Sequence, residues 1–236
     1  MNDYFQFRQF RVSHRRSSMK VGTDAVLLGA WADVSGINTV LDAGTGTGVI
    51  ALMLAQRTAG QVKIDAVEID HQAASDAYEN FSVSPWTDSM HLFHTPLQHF
   101  IPRQKYDLII SNPPFFVNSL KPPDASRKVA RHTDSMKFDD LIALAIKYLQ
   151  RPTGRLAIIL PPAEGALFTR LAAANGLFLN RECTFRTRTH KPPERKLMEF
   201  SFIHTDLQTE VLCLYEHSDV WSAPYKELTA PFYLKG

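Results

Sequence analysis

The run Val40-Leu41-Asp42-Ala43-Gly44-Thr45-Gly46-Thr47-Gly48 constrains this chain more than any other stretch. A short strand-like segment enters three alternately spaced glycines, and an apolar helical pattern follows over 49–55. Glycines in such a turn allow positive φ and let a ligand approach the backbone, while the helix start offers unpaired N–H groups. The same alternation recurs along the chain. Thr23 reads as the N-cap of a helix over 24–31, with Asp24 in its first turn complementing the dipole. Strands are predicted over 39–42, 62–67, 90–94, 106–110 and 155–160, and helices over 71–80, 138–148 and 164–175, the last stopped by Gly176. The tail is strand-rich at 177–185, 197–203 and 210–215. Apolar strands alternating with helices predict an α/β fold with a mostly parallel sheet and helices on both faces. The closing strands read as a hairpin, so the far edge is expected to be antiparallel.

A chain of 236 residues, 44% of them hydrophobic, can bury roughly 70% of its surface in one core. The expected organisation is a single domain over 1–236, with an aromatic and basic extension over 1–23 and the α/β core over 24–236. Cys183 and Cys213 lie in apolar strand-like runs and lack the spacing of a disulfide framework or zinc site. No run approaches the ~18 apolar residues of a membrane span, and the N-terminus lacks the apolar stretch of a signal peptide. These features predict a cytoplasmic protein without membrane association. The net charge of +2 hides a segregation of charge. Acids gather between Asp65 and Asp88. Bases gather at Arg8, Arg11, Arg15, Arg16 and Lys20, at Lys121, Arg127, Lys128, Arg131 and Lys137, and at Arg181, Arg186, Arg188, Lys191, Arg195 and Lys196.

The glycine spacing is neither the dinucleotide fingerprint nor a P-loop, since no Gly-Lys-Ser/Thr follows. Asp42 would repel a pyrophosphate but suits an ammonium or a water-bridged amino acid. Glu68, at the end of the next strand with Ile69 and Asp70 after it, suits ribose hydroxyls. A nucleoside with a zwitterionic amino-acid tail is S-adenosylmethionine.

The run Ser111-Asn112-Pro113-Pro114-Phe115-Phe116 follows a continuous apolar strand. The prolines stiffen this loop and donate no backbone hydrogen bond, which leaves carbonyl acceptors beside the Asn112 amide. Two converging acceptors fit the two hydrogens of a planar exocyclic amine and free its lone pair to attack a methyl group. Phe115 can stack on the target ring. A protonated amine product is acidic enough to lose its proton to water, so rate would come from positioning and electrostatics.

With the glycine turn, the strand-end glutamate and Asn-Pro-Pro-Phe in this order, the chain resembles class I S-adenosylmethionine-dependent amino-methyltransferases. The block 19–32, the Asp65-to-Glu68 strand end, the Glu79-Asn80 and Ser84-Pro85-Trp86 segments and the C-terminal 228–235 resemble bacterial valine-tRNA adenine-N6 methyltransferases. That resemblance spans about residues 5 to 235. It implies a Rossmann-like fold with a seven-stranded sheet, and methylation of adenine 37 in the anticodon loop of a valine tRNA with S-adenosylhomocysteine as product. It also implies that Lys20, Thr23 and Asp24 lie over the cofactor and that Asp42, Ala43, Gly44, Thr45, Gly46 and Gly48 cradle its methionine part. Glu68, Ile69 and Asp70 would meet the nucleoside, and Asn112, Pro113, Pro114 and Phe115 the target amine. Where the family commonly has an aspartate for the cofactor's adenine, this chain has Leu97, so a backbone carbonyl or Gln98 would take over. No metal and no obligate protein partner are expected.

Alternating aromatic and basic residues over 5–11 suit either a loop RNA or a half-buried edge strand with arginines outward. The basic loop 184–196 reads as a solvated loop or a phosphate grip. His91, His94 and His99 lack the spacing of a metal site. Other exocyclic-amine methyltransferases, including those making N2-methylguanine, and a non-catalytic cofactor- or RNA-binding module are the alternative readings.

Overall fold

The computed structural model describes residues 3–17, 20–114 and 136–234. Strands β3 (Thr39–Ala43), β4 (Lys63–Glu68), β5 (Met90–His94), β6 (Leu108–Ser111) and β7 (Arg155–Leu160) run parallel. They join β8 (Phe178–Arg186), β9 (Arg195–Ser201) and β10 (Gln208–Cys213) in an eight-stranded sheet of order β10-β8-β9-β7-β6-β3-β4-β5. The expected α/β architecture is present, with one strand more than seven. The antiparallel strand is β9, inserted between β7 and β8, while the outermost β10 runs parallel to β8.

Both faces of the sheet are covered, which explains the near-continuous apolar strands. Val40, Ile64, Leu108 and Ala157 meet α1 (Thr23–Trp31) and α2 (Val49–Arg57) on one face. Leu41, Val67, Ile109 and Ile158 meet α4 (Phe138–Tyr148) and α5 (Pro162–Ala174) on the other. Helix α3 (His71–Ser82) lies between β4 and β5 in the chain and buries Ala73, Ala77 and Phe81.

The N-terminal segment is an antiparallel hairpin, β1 (Tyr4–Gln6) with β2 (Arg11–Ser13). Phe7 and Phe10 are buried while Arg8 and Arg11 face solvent, so the edge-strand reading and the outward arginines hold together. Phe5, Phe7 and Phe10 pack against Trp86 and Tyr233. Arg8 donates through its backbone N–H to Phe232 and through Nε to Tyr233. The two chain ends thereby close on each other. Beyond β10 lie a small hairpin, β11 (Tyr215–His217) with β12 (Val220–Trp221), and helix α6 (Ala223–Thr229). Among the described residues no helix is long and apolar enough to cross a membrane.

Candidate active site

The ligand crevice of an open α/β sheet lies outside the carboxyl ends of its strands, where strand order reverses. Here β4 and β6 flank β3, so the loops after these three strands share that crest.

Asp42 is fully buried at the end of β3. Its Oδ2 accepts from the Thr45 hydroxyl at 2.6 Å and from the Ala51 N–H in the first turn of α2 at 3.2 Å. It therefore supports both the glycine turn and a helix end with unpaired donors. Its Oδ1 is buried with no hydrogen-bond partner among the described residues. Burial pushes the carboxyl up to about 7, opposed by the Thr45 and Ala51 bonds, with Glu68 adding a small upward push.

The rest of the turn is satisfied from its neighbours. Gly44 and Thr45 donate their N–H groups to Val67, and Gly48 donates to Thr45. Ala43 accepts from the Ser111 hydroxyl at 2.7 Å, which ties the start of the Asn112 loop to the end of β3. Gly48 has φ 84°, and a Cβ there would stand 2.4 Å from Phe81 of α3, so no other residue fits. Gly46 has φ 59° and open space above it. A ligand can approach the backbone at that point.

Glu68, at the end of β4, points at the same turn. Its Oε2 accepts from Gly46 at 2.8 Å, and its Oε1 from Ile69 at 2.9 Å and Asp70 at 2.8 Å. The carboxylate expected to meet a ribose is thus held by three backbone donors and linked to the glycine turn. Ile69 stands exposed beside it. Asp70 is engaged elsewhere, because its Oδ1 caps α3 by accepting from Ala73 at 2.8 Å.

Asn112 and Pro113 follow β6 directly, Asn112 half-buried, Pro113 buried and Pro114 exposed. The Asn112 side chain makes no hydrogen bond among the described residues, so its amide is uncommitted. Phe115 and Phe116 lie outside the described residues, as do Lys121, Arg127, Lys128, Arg131 and His132.

One expectation is corrected, that of the Thr23 cap, and the other predicted residues take the places that follow. Thr23 is the first residue of α1 rather than its cap; extended Gly22 takes the cap position with no side-chain bond. Asp24 pairs with Arg195 at 2.7 Å, so its charge serves strand β9 as well as the helix dipole. Lys20 is exposed. Leu97 is buried in the apolar layer with Val67 and Phe100, so its side chain faces the core. Gln98 donates through Nε2 to Asp140 of α4 at 2.8 Å. His94 packs on the ring of His71, and no group of three or more metal-ligating side chains occurs among the described residues.

Sequence reasoning missed two moorings. Asn80 of α3 accepts from Ser13 and donates to the carbonyls of Ser13 and Thr47, clamping β2 to the glycine turn. Buried Asp76 accepts from the backbone N–H groups of Arg16 and Ser17 and from the Arg16 side chain. Asn80 stood in the resemblance block, but its partners lie 33 and 67 residues earlier in the chain.

The family model of the methyltransferase small domain matches residues 17–165. A tRNA1(Val) (adenine(37)-N6)-methyltransferase of Pseudoalteromonas translucida is 42% identical over 231 residues, covering 98% of each chain. Its counterpart in Tolumonas auensis is 43% identical over 231 residues, 98% of this chain and 97% of that one. The chain belongs to this methyltransferase family. Among solved structures, an Agrobacterium tumefaciens protein described as a predicted O-methyltransferase shares the fold, with a TM-score of 0.63 at 17% identity over 89% of this chain and 96% of its own. The methyltransferase fold implied by the resemblance is the observed one. Its crest carries the glycine turn, Glu68 and Asn112 on three adjacent strands.

Proposed function

We propose that this methyltransferase transfers a methyl group from S-adenosylmethionine to N6 of adenine 37 in a valine tRNA, in the cytoplasm. The observation that carries the reading is full-length identity above 40% to relatives bearing that name, together with Asn112 and Pro113 placed one strand from the glycine turn. S-adenosylmethionine supplies an activated methyl group on a sulfonium sulfur. The chain has features that fit it. Asp42 Oδ1 is a buried acceptor without a partner, suited to a water-bridged ammonium, and Gly46 leaves the backbone open. Glu68 would turn from Gly46 toward the ribose, leaving the Gly46 N–H to a ligand. Ile69 offers an apolar surface to the adenine ring. Asp70, its side chain committed to capping α3, and Leu97, its side chain in the core, would act through their backbones. We read 1–236 as one catalytic unit whose extension leads over the cofactor through Lys20.

Asn112 Oδ1 and the Pro113 carbonyl would accept the two hydrogens of the adenine amine. That pulls the nitrogen toward tetrahedral geometry and localises its lone pair for attack. The methylated nitrogen carries a positive charge and loses one proton to water. Pro114 stiffens the loop so that the acceptors need little reorganisation. Phe115 would stack on the target base.

Incubation with methyl-labelled S-adenosylmethionine and RNA from cells lacking the enzyme tests this reading. Label should appear as N6-methyladenosine at position 37 of a valine tRNA; N2-methylguanosine would overturn it. Asn112→Ala should lower turnover by roughly a thousandfold, as when an oriented acceptor or donor is removed, with cofactor affinity within about twofold. Equal loss of binding and turnover would remove Asn112 from its assigned role.

A further inference from the structure

Helix α3 presents a polar stripe that the cofactor crest does not use. His71, Ser75, Tyr78 and Ser82 follow at intervals of four, three and four, so they share one helix face. That stripe forms one wall of a groove of about 580 Å³, and Leu92 and His94 of edge strand β5 contribute to the other. The groove begins at the crest, where His94 Nε2 lies 3.1 Å from the Ile69 carbonyl and the rings of His71 and His94 stand 5.3 Å apart. Tyr78 is 69% exposed and makes no hydrogen bond or ring contact among the described residues. Arg16 reaches the rim, but Asp76 and Glu79 hold it at 2.9 and 2.8 Å. The groove therefore offers flat rings and hydroxyls with little net charge. Such a surface suits an unstacked base better than a phosphate, because every base has a π-face and stacking needs no charge.

We propose that this groove takes an unpaired nucleobase of the RNA substrate, other than the methylated adenine, stacked on Tyr78. The inference rests on the tRNA reading and names a second point of contact for that substrate. A loop base suits it because turning it outward costs less than breaking a pair.

The test is the dissociation constant of a fluorescein-labelled valine-tRNA anticodon stem-loop, read by anisotropy, alongside turnover on the full tRNA. Tyr78→Ala should weaken RNA binding about tenfold, within the range of one base–aromatic stack, with affinity for S-adenosylhomocysteine and thermal stability unchanged. Tyr78→Trp should bind as tightly as the parent. The ratio between parent and Tyr78→Ala should stay constant from about 50 to 200 mM salt, since no counterion is released by stacking. Unchanged RNA affinity in Tyr78→Ala would overturn the proposal and leave the groove to another class of partner. Equal weakening in the alanine and tryptophan variants, or a strongly salt-dependent ratio, would overturn it too. A parent chain that binds the stem-loop but does not methylate the tRNA would overturn the functional reading alone, and one that binds no RNA would overturn both.

Discussion

Along 181–196, Arg181 pairs with Glu199 and Glu210, Arg188 with Asp219, Arg195 with Asp24 and Lys196 with Glu182. Arg181 also stacks on Trp31, 3.9 Å from the ring centre. Along 8–20 only Arg16 pairs with a carboxylate among the described residues, while Arg11, Arg15 and Lys20 stand exposed. Arg181, Arg195 and Lys196 join β8, β9 and β10 to each other and to α1, Arg188 pairs at the surface with Asp219, and Lys191 stays exposed. The N-terminal segment presents its charge outward from a hairpin anchored by phenylalanines. A basic run thus signals a polyanion partner only where folding leaves it without carboxylates. We propose that exposed Arg11, Arg15 and Lys20 supply most of the phosphate contacts, with exposed Lys191 left to the 184–196 loop.

The strand-end acids differ in the same way. Glu68 collects three backbone donors, whereas Asp42 receives two bonds on one oxygen and none on the other.

The largest effect expected from these contrasts is on pH dependence. Asp42 has a folded pKa near 7, against roughly 3.9 when unfolded. Its contribution to stability is therefore complete below about pH 4 and falls by about 1.4 kcal/mol per pH unit until the pH passes the folded value. Asp42→Asn keeps an acceptor for Thr45 and Ala51 but cannot titrate. The unfolding free energies of parent and variant should diverge with that slope between pH 5 and about 7; parallel curves would show that Asp42 is ionised throughout.

Next in size is Arg181→Ala. It leaves the buried Glu199 carboxylate without its ion pair and Trp31 without its stacked guanidinium. Denaturant unfolding should show a loss of about 2–3 kcal/mol, while the folded fraction binds tRNA as before. A binding defect with unaltered stability would return this arginine to the RNA surface.

Smallest in free energy, and most specific, is the joint replacement of Arg11, Arg15 and Lys20 by alanine. It should lower the log–log salt slope of tRNA binding by about two at unchanged melting temperature. Joint replacement of Arg188 and Lys196 should leave the slope alone and lower the melting temperature. If the two sets behave alike, the division between inner and outer charge is wrong.

Much of the crest was legible because its determinants are local. The turn at Gly44 to Gly48, the stop at Gly176 and the stiff Asn112-Pro113-Pro114 loop follow from φ/ψ limits and hydrogen bonds within a few residues. The neighbours of β9 were not legible in that way, since two antiparallel partners suit the same apolar strand. Nor was the commitment of Asp70 and Leu97, which depends on where a cap and a core layer fall. The partner of Asp24 lies 171 residues along the chain.

By itself, then, the sequence determined the order of strands and helices, the glycine turn and the stiff Asn112-Pro113-Pro114 loop, because short-range sterics and hydrogen bonding specify them. Tertiary structure alone decided which carboxylate keeps an unpartnered oxygen, which arginines meet a carboxylate and which aromatic of α3 stays in solvent. Those outcomes depend on groups that only folding brings within hydrogen-bonding distance, and desolvation and pairing there set what each charge is able to do.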